Sequence, residues 1–320
     1  MRAVVFTGAG GNEVVDLAER ADPSPGPEDV VVHVRFAGLN PADLLQRAGR
    51  YPAPAGSPPD VPGLEVAGTV LECGERVADW APGDRVFGLV GGGGLADRVL
   101  VHERCVTRVP DRLSDEEAAA APEAFITAHD AVRTQAGLRM GERLLVHGAA
   151  GGVGSAAVQI AVSTGAHAIA VVRSEGADAA LSELGAEVVS ESEFPGAVQE
   201  LVDVVLELVG ALHFPGNLEV LARNGRIMIV GVAAGADVNL SLATLMQKRA
   251  SIRGTVLRSR PLEEKAAAVR AFEREVVPGL ADGRMRPLVD SVYPAGDVTD
   301  AFDRLAASGK LGKVLLDFGA

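Results

Sequence analysis

Three glycines in one short segment have the spacing of a phosphate-binding turn. They recur at every third position, as Gly148, Gly151 and Gly154. The turn follows an apolar stretch, 144–147, and opens a segment of helical character that runs to Thr164. A strand that turns sharply into a helix needs small residues where its backbone approaches a pyrophosphate. The first helical amides, at Gly152 and Val153, would then bind the phosphates with help from the helix dipole. This predicts dinucleotide binding; the alternative is a tight turn that binds nothing.

The end of the next apolar strand distinguishes between the two nicotinamide cofactors. An NAD site usually carries Asp or Glu roughly 20 residues after the glycines, to accept bonds from the ribose 2′-hydroxyl. In this chain Arg173 lies nineteen residues after the last glycine, and Ser174 follows it. An arginine offers a 2′-phosphate charge-assisted hydrogen bonds of about 1.5–3 kcal/mol each. We therefore predict NADPH rather than NADH; the alternative is a solvated arginine at a helix entry.

The sequence lacks the motifs of metal-binding, hydrolase, NTPase and nucleic-acid-binding proteins. The six histidines show no His-x-x-x-His pair, and the two cysteines, Cys73 and Cys105, form no Cys-x-x-Cys site. No Gly-x-Ser-x-Gly elbow and no Gly-Lys-Ser/Thr turn occurs, which argues against hydrolase and NTPase activity. A net charge of −13 and 4% aromatic residues exclude a nucleic-acid surface. The N-terminus reads as a strand and apolar runs stay short of a membrane span, so we expect a soluble cytoplasmic protein.

The elements that must position these residues form two patterns. A chain of 320 residues has room for two domains. Up to about residue 110, short apolar runs between Gly and Pro turns indicate a partly closed β-barrel. From Leu144 onward, strands alternate with helices, which predicts a doubly wound parallel sheet of six strands. The expected strands are 144–147, 167–172, 187–189, 203–207, 226–230 and 251–256.

The tail does not continue the alternation. After a helix at 262–276 it contains two short strands and one short helix, so we assign it to the barrel. The predicted domains are a discontinuous one, 1–118 with 258–320, and a dinucleotide-binding one, 119–257.

With these segments the chain resembles the zinc-free quinone oxidoreductase (zeta-crystallin-like) group of the medium-chain dehydrogenase/reductases. The likeness covers essentially the whole chain and rests on segments 37–43, 62–68, 82–86, the glycine turn, 203–210 and 312–314. It implies a GroES-like β-barrel domain, a Rossmann domain, NADPH as cofactor and a homodimer formed through about 226–256.

The resemblance also bears on zinc and on the site residues. Zinc-dependent relatives carry Cys at the position of Asn40 and His at that of Leu64, and neither residue here is a usual zinc ligand. It implies Asn40 and Tyr51 near the nicotinamide or substrate. The implied cofactor contacts beyond the turn and Arg173 are Thr127, Ser174, Gly231, Val232, Leu257 and Lys310. Loop capping by Asn40 and simple packing by Tyr51 stay open, and Asp43 is taken as a helix-turn residue.

Without a metal the acceptor must already be electrophilic. We predict an NADPH-dependent quinone reductase that transfers a hydride, with one-electron steps left open. The alternatives are an enoyl or 2-alkenal reductase with the same cofactor, and a dinucleotide binder without catalysis. Glu191 and Ser192 occupy the place where the family often has a tyrosine near the adenosine phosphate. Without this tyrosine, we expect Arg173 alone to contact that phosphate.

Overall fold

Contacts between residues divide the protein into two units. The computed structural model describes residues 1–173 and 176–319. The first unit comprises Met1–Ile126 and Leu257–Ala320, and the second comprises Thr127–Val256. This division falls at 126/127, inside a helix that runs from Pro122 to His129, and the domain bounds expected from the sequence, 118/119 and 257/258, stay a prediction.

The strands and helices alternate most regularly in the middle of the chain. The strands are β1 (Arg2–Phe6), β2 (Val15–Glu19), β3 (Asp29–Gly38), β4 (Glu65–Cys73), β5 (Arg85–Leu89), β6 (Arg98–His102), β7 (Val106–Arg108), β8 (Arg143–His147), β9 (His167–Val172), β10 (Ala186–Ser190), β11 (Val202–Glu207), β12 (Leu221–Ile229), β13 (Ser251–Gly254), β14 (Val289–Pro294) and β15 (Lys313–Asp317). The helices are α1 (Pro41–Arg47), α2 (Asp115–Ala119), α3 (Pro122–His129), α4 (Gly152–Thr164), α5 (Asp178–Glu183), α6 (Phe214–Val220), α7 (Leu242–Lys248), α8 (Leu262–Glu275), α9 (Val277–Ala281) and α10 (Val298–Ala306).

The second unit is built on a six-stranded parallel sheet. Its strand order is β10-β9-β8-β11-β12-β13, which is the doubly wound arrangement that the alternating pattern predicts. The central strands are almost fully buried, since helices cover parallel sheets on both faces. Because all six strands run the same way, their carboxyl ends lie along one edge of the sheet.

One strand of this sheet begins earlier than the sequence suggests. The apolar run indicates a start at Arg226, whereas β12 begins at Leu221. Its register against β11 shifts between Val202 and Val204, and Asn224 has a positive φ of 64°. The first residues of β12 are irregular and include polar residues before Gly225. The hydrophobic pattern therefore does not indicate that they belong to the strand.

The first unit carries a mixed, largely antiparallel sheet of seven strands. Its order is β14-β15-β3-β4-β5-β7, with β6 paired to β3, and β1 and β2 form a separate hairpin. The register of β3 against β4 shifts twice, at Val31/Val32 and at Val34/Phe36, and such bulges curl a sheet. The core beneath includes Phe302 of α10 and Leu316 of β15, so the tail packs within this unit.

A capping box closes the start of α2. The hydroxyl of Ser114 accepts the backbone N–H of Glu117, and the carboxylate of Glu117 accepts the backbone N–H of Ser114. None of the helices in the described ranges is long and apolar enough to cross a membrane.

Candidate functional site

The glycine turn leaves β8 and enters α4 in the second unit. Gly148 has a φ of +65°, a left-handed conformation that glycine adopts at no steric cost. A Cβ on Gly154 would lie 2.4 Å from the carbonyl oxygen of Gly148, so this glycine lets the helix pack against the turn. A Cβ on Gly151 would meet only that same oxygen, at 3.5 Å. Gly148 and Gly154 therefore serve the turn itself, while Gly151 leaves room for a ligand.

The start of α4 offers backbone donors to an anion. Gly151 is the N-cap, and Gly152, Val153 and Gly154 form the first turn of a helix of 13 residues. The first amides of any α-helix have no intrahelical acceptor, and the helix dipole adds partial positive charge there. No acidic side chain occupies this first turn. These residues fit the pyrophosphate of a dinucleotide.

Arg173 follows β9 directly and borders a cavity of about 420 Å³. The side chain is exposed and forms no salt bridge with the residues that the structure describes. Ser174, its expected companion, lies outside the described residues. We call this space the Arg173 cavity; it is lined by Arg173, Ser190, Glu191, Ser192, Phe194, Pro195, Leu212, His213 and Gly216. It opens just beyond the carboxyl ends of β9 and β10, where open α/β sheets bind ligands.

A buried polar network lies behind the cavity. His147 Nε2 and the Asn217 Oδ1 are 2.6 Å apart, and the Asn217 amide donates to Glu207 Oε2 at 2.7 Å. Glu207 Oε1 accepts the backbone N–H groups of Val209 and Gly210, each at 2.8 Å. Glu207 thereby joins the end of β11 to the turn that follows it.

His213 stacks on His147 and reaches the cavity. The two rings are 4.1 Å apart between centroids and 5° from parallel. His213 Nε2 lies 2.8 Å from Glu191 Oε1, and its Nδ1 lies 3.8 Å from Glu207 Oε1. Burial lowers the pKa of His147 to about 4, despite the nearby Glu207 carboxylate. Glu207 raises the pKa of His213; burial opposes this, and Glu191 adds to it.

This network is the one group of His, Cys, Asp or Glu among the described residues whose geometry could hold a metal ion. The donor atoms of His147, Glu207 and His213 lie within 4.8 Å of one another. Both oxygens of Glu207 already accept hydrogen bonds, and Asn217 engages His147. The group therefore works as a hydrogen-bonded support for the strand ends.

Sequence reasoning missed this network because its members come from separate elements. The available signal was a polar residue, His147 or Glu207, ending an otherwise apolar strand.

Three further predicted cofactor residues belong to the second unit. Thr127 is buried on α3. Gly231 follows β12, and a Cβ there would meet the carbonyl oxygen of Leu208 at 2.3 Å, so only glycine fits. Val232 is exposed and its carbonyl accepts the N–H of Gly235, closing a turn.

Asn40 occupies a buried ionic cluster in the first unit. It is the N-cap of α1 and is 5% exposed. Its amide donates to Gly38 O at 3.2 Å and to Glu65 Oε1 at 3.0 Å, and its Oδ1 accepts from Lys313 Nζ at 2.6 Å. Both amide N–H groups are thus used inside the protein, and one oxygen lone pair remains. This is the geometry of a residue that orders a loop.

Lys313 and Glu65 form the ion pair of this cluster. Lys313 Nζ lies 2.6 Å from Glu65 Oε1 and donates to Leu39 O at 2.7 Å. Glu65 is fully buried, and its second oxygen accepts the N–H of Glu123 at 2.7 Å. A Cβ on Gly38 would lie 2.3 Å from Glu65 Oε1, so glycine makes room for the carboxylate. Sequence reasoning did not select this pair, which forms only when β15 and β4 flank β3.

Asp43 supports the same loop from α1. Its carboxylate accepts the N–H of Asn40 at 2.7 Å and the N–H of Gly63 at 3.1 Å. Burial raises the pKa of Asp43 to about 6, and these N–H donors limit the rise. Asp43 therefore acts as the helix-turn residue that the sequence suggests.

Tyr51 lies over a buried arginine that sequence reasoning missed. The guanidinium carbon of Arg258 is 5.1 Å from the centre of the Tyr51 ring. Arg258 also donates to Gly91 O at 2.8 Å and to Gln46 Oε1 at 2.6 Å. Burial raises the pKa of Tyr51, and the arginine charge counteracts part of that rise. The net effect raises the pKa of Tyr51, so its hydroxyl stays protonated, while the Arg258 charge lowers part of the cost of giving up the proton.

Three more predicted positions belong to the first unit. Leu64 is buried and offers no ligand atom. Leu257 is buried at the start of the returning segment. Lys310 follows α10, and its Nζ donates to Ala307 O.

Comparison with known proteins identifies the class. A zinc-binding dehydrogenase model matches residues 152–274, and an alcohol dehydrogenase GroES-like domain model matches residues 26–111. Quinone oxidoreductase from Lama guanicoe is 33% identical over 327 residues, covering 99% of this chain and 97% of that protein.

Solved structures agree with this class. A structure titled NAD-dependent alcohol dehydrogenase matches with a TM-score of 0.87 at 31% identity, covering 100% of both chains. Quinone oxidoreductase from Pseudomonas syringae matches with a TM-score of 0.85 at 29% identity, covering 99% of both. The CurK enoyl reductase matches with a TM-score of 0.85 at 27% identity, covering 99% of this chain and 98% of that one.

The chain is a medium-chain dehydrogenase/reductase, an oxidoreductase superfamily that binds a nicotinamide dinucleotide. Within it, the chain belongs to the quinone oxidoreductase group. This confirms the resemblance inferred from the sequence and the predicted fold class.

The buried pair predicts a large effect of removing one partner. Lys313→Met leaves the Glu65 carboxylate buried without a cation, which should lower the free energy of unfolding by about 3–5 kcal/mol. The double variant Lys313→Met with Glu65→Gln should recover much of this loss, because no uncompensated charge remains. Urea denaturation followed by circular dichroism measures both. The control is Arg104→Met, which breaks the exposed pair with Glu263 and should change little. Equal stability of Lys313→Met and wild type would refute the role of the pair.

Proposed function

We propose that the protein is an NADPH-dependent quinone reductase that works without zinc. The observation that carries the cofactor preference is Arg173, an exposed cation that borders a cavity beyond β9. The quinone oxidoreductase relatives support the reaction class. NADPH, when bound, supplies the hydride. The glycine turn would hold its pyrophosphate and Arg173 its 2′-phosphate, and these contacts fix the orientation of the cofactor.

The side chains at the expected zinc positions support the absence of zinc. Asn40 has its amide groups committed to Gly38, Glu65 and Lys313, and Leu64 offers no donor. The cation in this cluster is Lys313, whose ammonium group cannot act as a Lewis acid. The substrate must therefore be electrophilic by itself. A quinone meets this condition, because adding a hydride leaves a delocalised phenolate.

Asn40 and Tyr51 take different parts in this proposal. Asn40 orders the loop before α1 and keeps one amide lone pair, so it acts as a positioning residue. Tyr51 has its hydroxyl on a half-buried ring next to Arg258, and it would donate a proton to the reduced product. A quinone product can also take its proton from water, so Tyr51 matters less for a quinone than for a substrate protonated at carbon.

The second candidate is an enoyl or 2-alkenal reductase. The observation that favours it is the likeness to the CurK enoyl reductase over nearly the whole chain. It would use the same cofactor residues, but the product must be protonated on carbon, which makes a placed acid such as Tyr51 essential.

Homodimerisation through the end of the second unit's sheet is part of the proposal. β13 is the last strand of that sheet, and exposed apolar side chains surround it in sequence: Val232, Val238, Leu242, Met246 and Val256. Exposed apolar groups beside a sheet edge are typical of interfaces.

The dimer has a direct test. Light scattering after size exclusion should give twice the mass of 32.9 kDa for the wild type and for Met140→Glu, an exposed site elsewhere. Met246→Glu should shift the protein towards the monomer, because it brings a charge into the apolar surface. A monomeric wild type would end this part of the proposal.

The cofactor assignment predicts a selective loss. Arg173→Ala should weaken NADPH binding about ten- to a hundredfold, the value of one charge-assisted bond, and leave NADH binding almost unchanged. Titration calorimetry with each cofactor measures this. Arg139→Ala, which removes an exposed arginine of the same unit, is the control. Equal weakening of both cofactors, or a wild-type preference for NADH, contradicts the assignment.

Side-by-side turnover separates the two reactions. The wild type should reduce a quinone faster than a 2-alkenal, and prior dialysis against a metal chelator should not change this. Tyr51→Phe should lower alkenal turnover by roughly 100-fold or more while sparing quinone turnover, because only carbon protonation needs the placed acid. Equal losses on both substrates would assign Tyr51 to packing. Stoichiometric zinc in the purified protein would contradict the zinc-independent reading.

A further inference from the structure

The Arg173 cavity contains an anion as well as a cation. Glu191, the residue after β10, lines the same space as Arg173, together with the ring of His213. A carboxylate at this position repels a phosphate monoester, whereas it accepts a hydrogen bond from a ribose hydroxyl. Arg173 alone therefore does not set the charge that a bound adenosine group meets.

His213 is placed to neutralise this carboxylate. Its Nε2 lies 2.8 Å from Glu191 Oε1. Among the described residues, the charged and titratable groups around it are Glu191, Glu207 at 3.8 Å, the stacked His147 ring and Arg173, which lines the same cavity. His147 stays neutral at physiological pH, because burial lowers its pKa to about 4. The two carboxylates thus act on His213 without a second imidazolium to oppose them.

The proton on His213 determines the charge of the cavity. With His213 protonated, the lining groups Arg173, His213 and Glu191 sum to one positive charge. With His213 neutral, Glu191 cancels Arg173. The carboxylates raise the pKa of His213 from its ordinary value of 6.5. The change therefore falls in the range above that value, where the 2′-phosphate, with a second pKa of about 6, is already a dianion.

We propose that Glu191 and His213 are specificity-determining residues that make the preference for a 2′-phosphorylated adenosine group depend on pH. Protonated His213 neutralises Glu191 and leaves Arg173 to the phosphate. As the pH rises and His213 loses its proton, Glu191 opposes the phosphate and the protein discriminates less between NADPH and NADH. This inference rests on the proposed NADPH preference through Arg173.

Binding of small probes isolates the adenosine end from catalysis. Adenosine 2′,5′-bisphosphate and adenosine 5′-monophosphate differ only in the 2′-phosphate, and calorimetry gives a Kd for each between about pH 7 and 9. In the wild type, the Kd for the monophosphate divided by the Kd for the bisphosphate should be larger at the lower pH. Because proton and phosphate binding favour each other, bisphosphate binding should also take up protons, measured in buffers of different ionisation enthalpy.

Two variants and one control complete the design. Glu191→Gln keeps the shape but removes the charge, so at the high-pH end it should bind the bisphosphate about tenfold more tightly than wild type. Its remaining pH dependence should shift to lower pH, because Glu191 is one of the two carboxylates that raise the pKa of His213. His213→Gln should bind it weakly at every pH and without proton uptake. Glu193→Gln, the same removal of charge at an exposed position that does not line the cavity, should behave like the wild type. Because Glu191 is partly exposed, its variant tests the proposal even where His213→Gln does not fold.

The outcomes separate this inference from the cofactor assignment. If Glu191→Gln changes neither the Kd ratio nor its pH dependence while Arg173→Ala removes bisphosphate preference, the inference is wrong and the NADPH assignment stands. If Arg173→Ala also leaves the ratio unchanged, the NADPH assignment itself is wrong.

Discussion

The parallel direction of the six-stranded sheet is the constraint on which the candidate cofactor site depends. Because β10, β9, β8 and β11 run the same way, their carboxyl ends lie side by side. Gly148, Arg173, Glu191 and Glu207 each come at or just after one of these ends. No two of them are close in sequence. The sheet thus supplies an anion-binding turn, a permanent cation and a pair of carboxylates along one edge, and the connecting segments add His213 and most of the cavity lining.

Glu207 converts the strand ends into a rigid support. A buried carboxylate is costly unless it is paired and hydrogen-bonded. Here burial alone would raise the pKa of Glu207, but hydrogen bonds and the neighbouring His213 and His147 hold it below its ordinary value. The carboxylate fixes the turn at Val209 and Gly210 through two backbone N–H groups. Glu207 also raises the pKa of His213. One side chain therefore affects both the backbone geometry at the carboxyl edge of the sheet and the charge of the Arg173 cavity.

The sequence predicted most of the scaffold and only part of the site. Strand β9, for example, begins and ends at the expected residues, since an apolar run between polar or glycine-rich turns determines it locally. The glycine turn was predictable for the same reason. The His213 network was not, because His147, Glu207 and Asn217 meet only through strand order and helix packing. The pairing of Lys313 with Glu65 likewise depends on β15 lying beside β3, which no local pattern encodes.

The ionic cluster in the first unit bears on how such a fold can work without a metal. Glu65 is fully buried and needs a positive charge nearby, and Lys313 supplies it at 2.6 Å. An ammonium group compensates the carboxylate and orders Asn40, so the loop before α1 keeps its shape. It has no empty orbital to polarise a carbonyl, unlike zinc. The structural and the catalytic contributions of a cation are therefore separable. Under the proposed zinc-independent function, this cluster supplies only the structural contribution, and the substrate carbonyl must accept a hydride without activation by a metal.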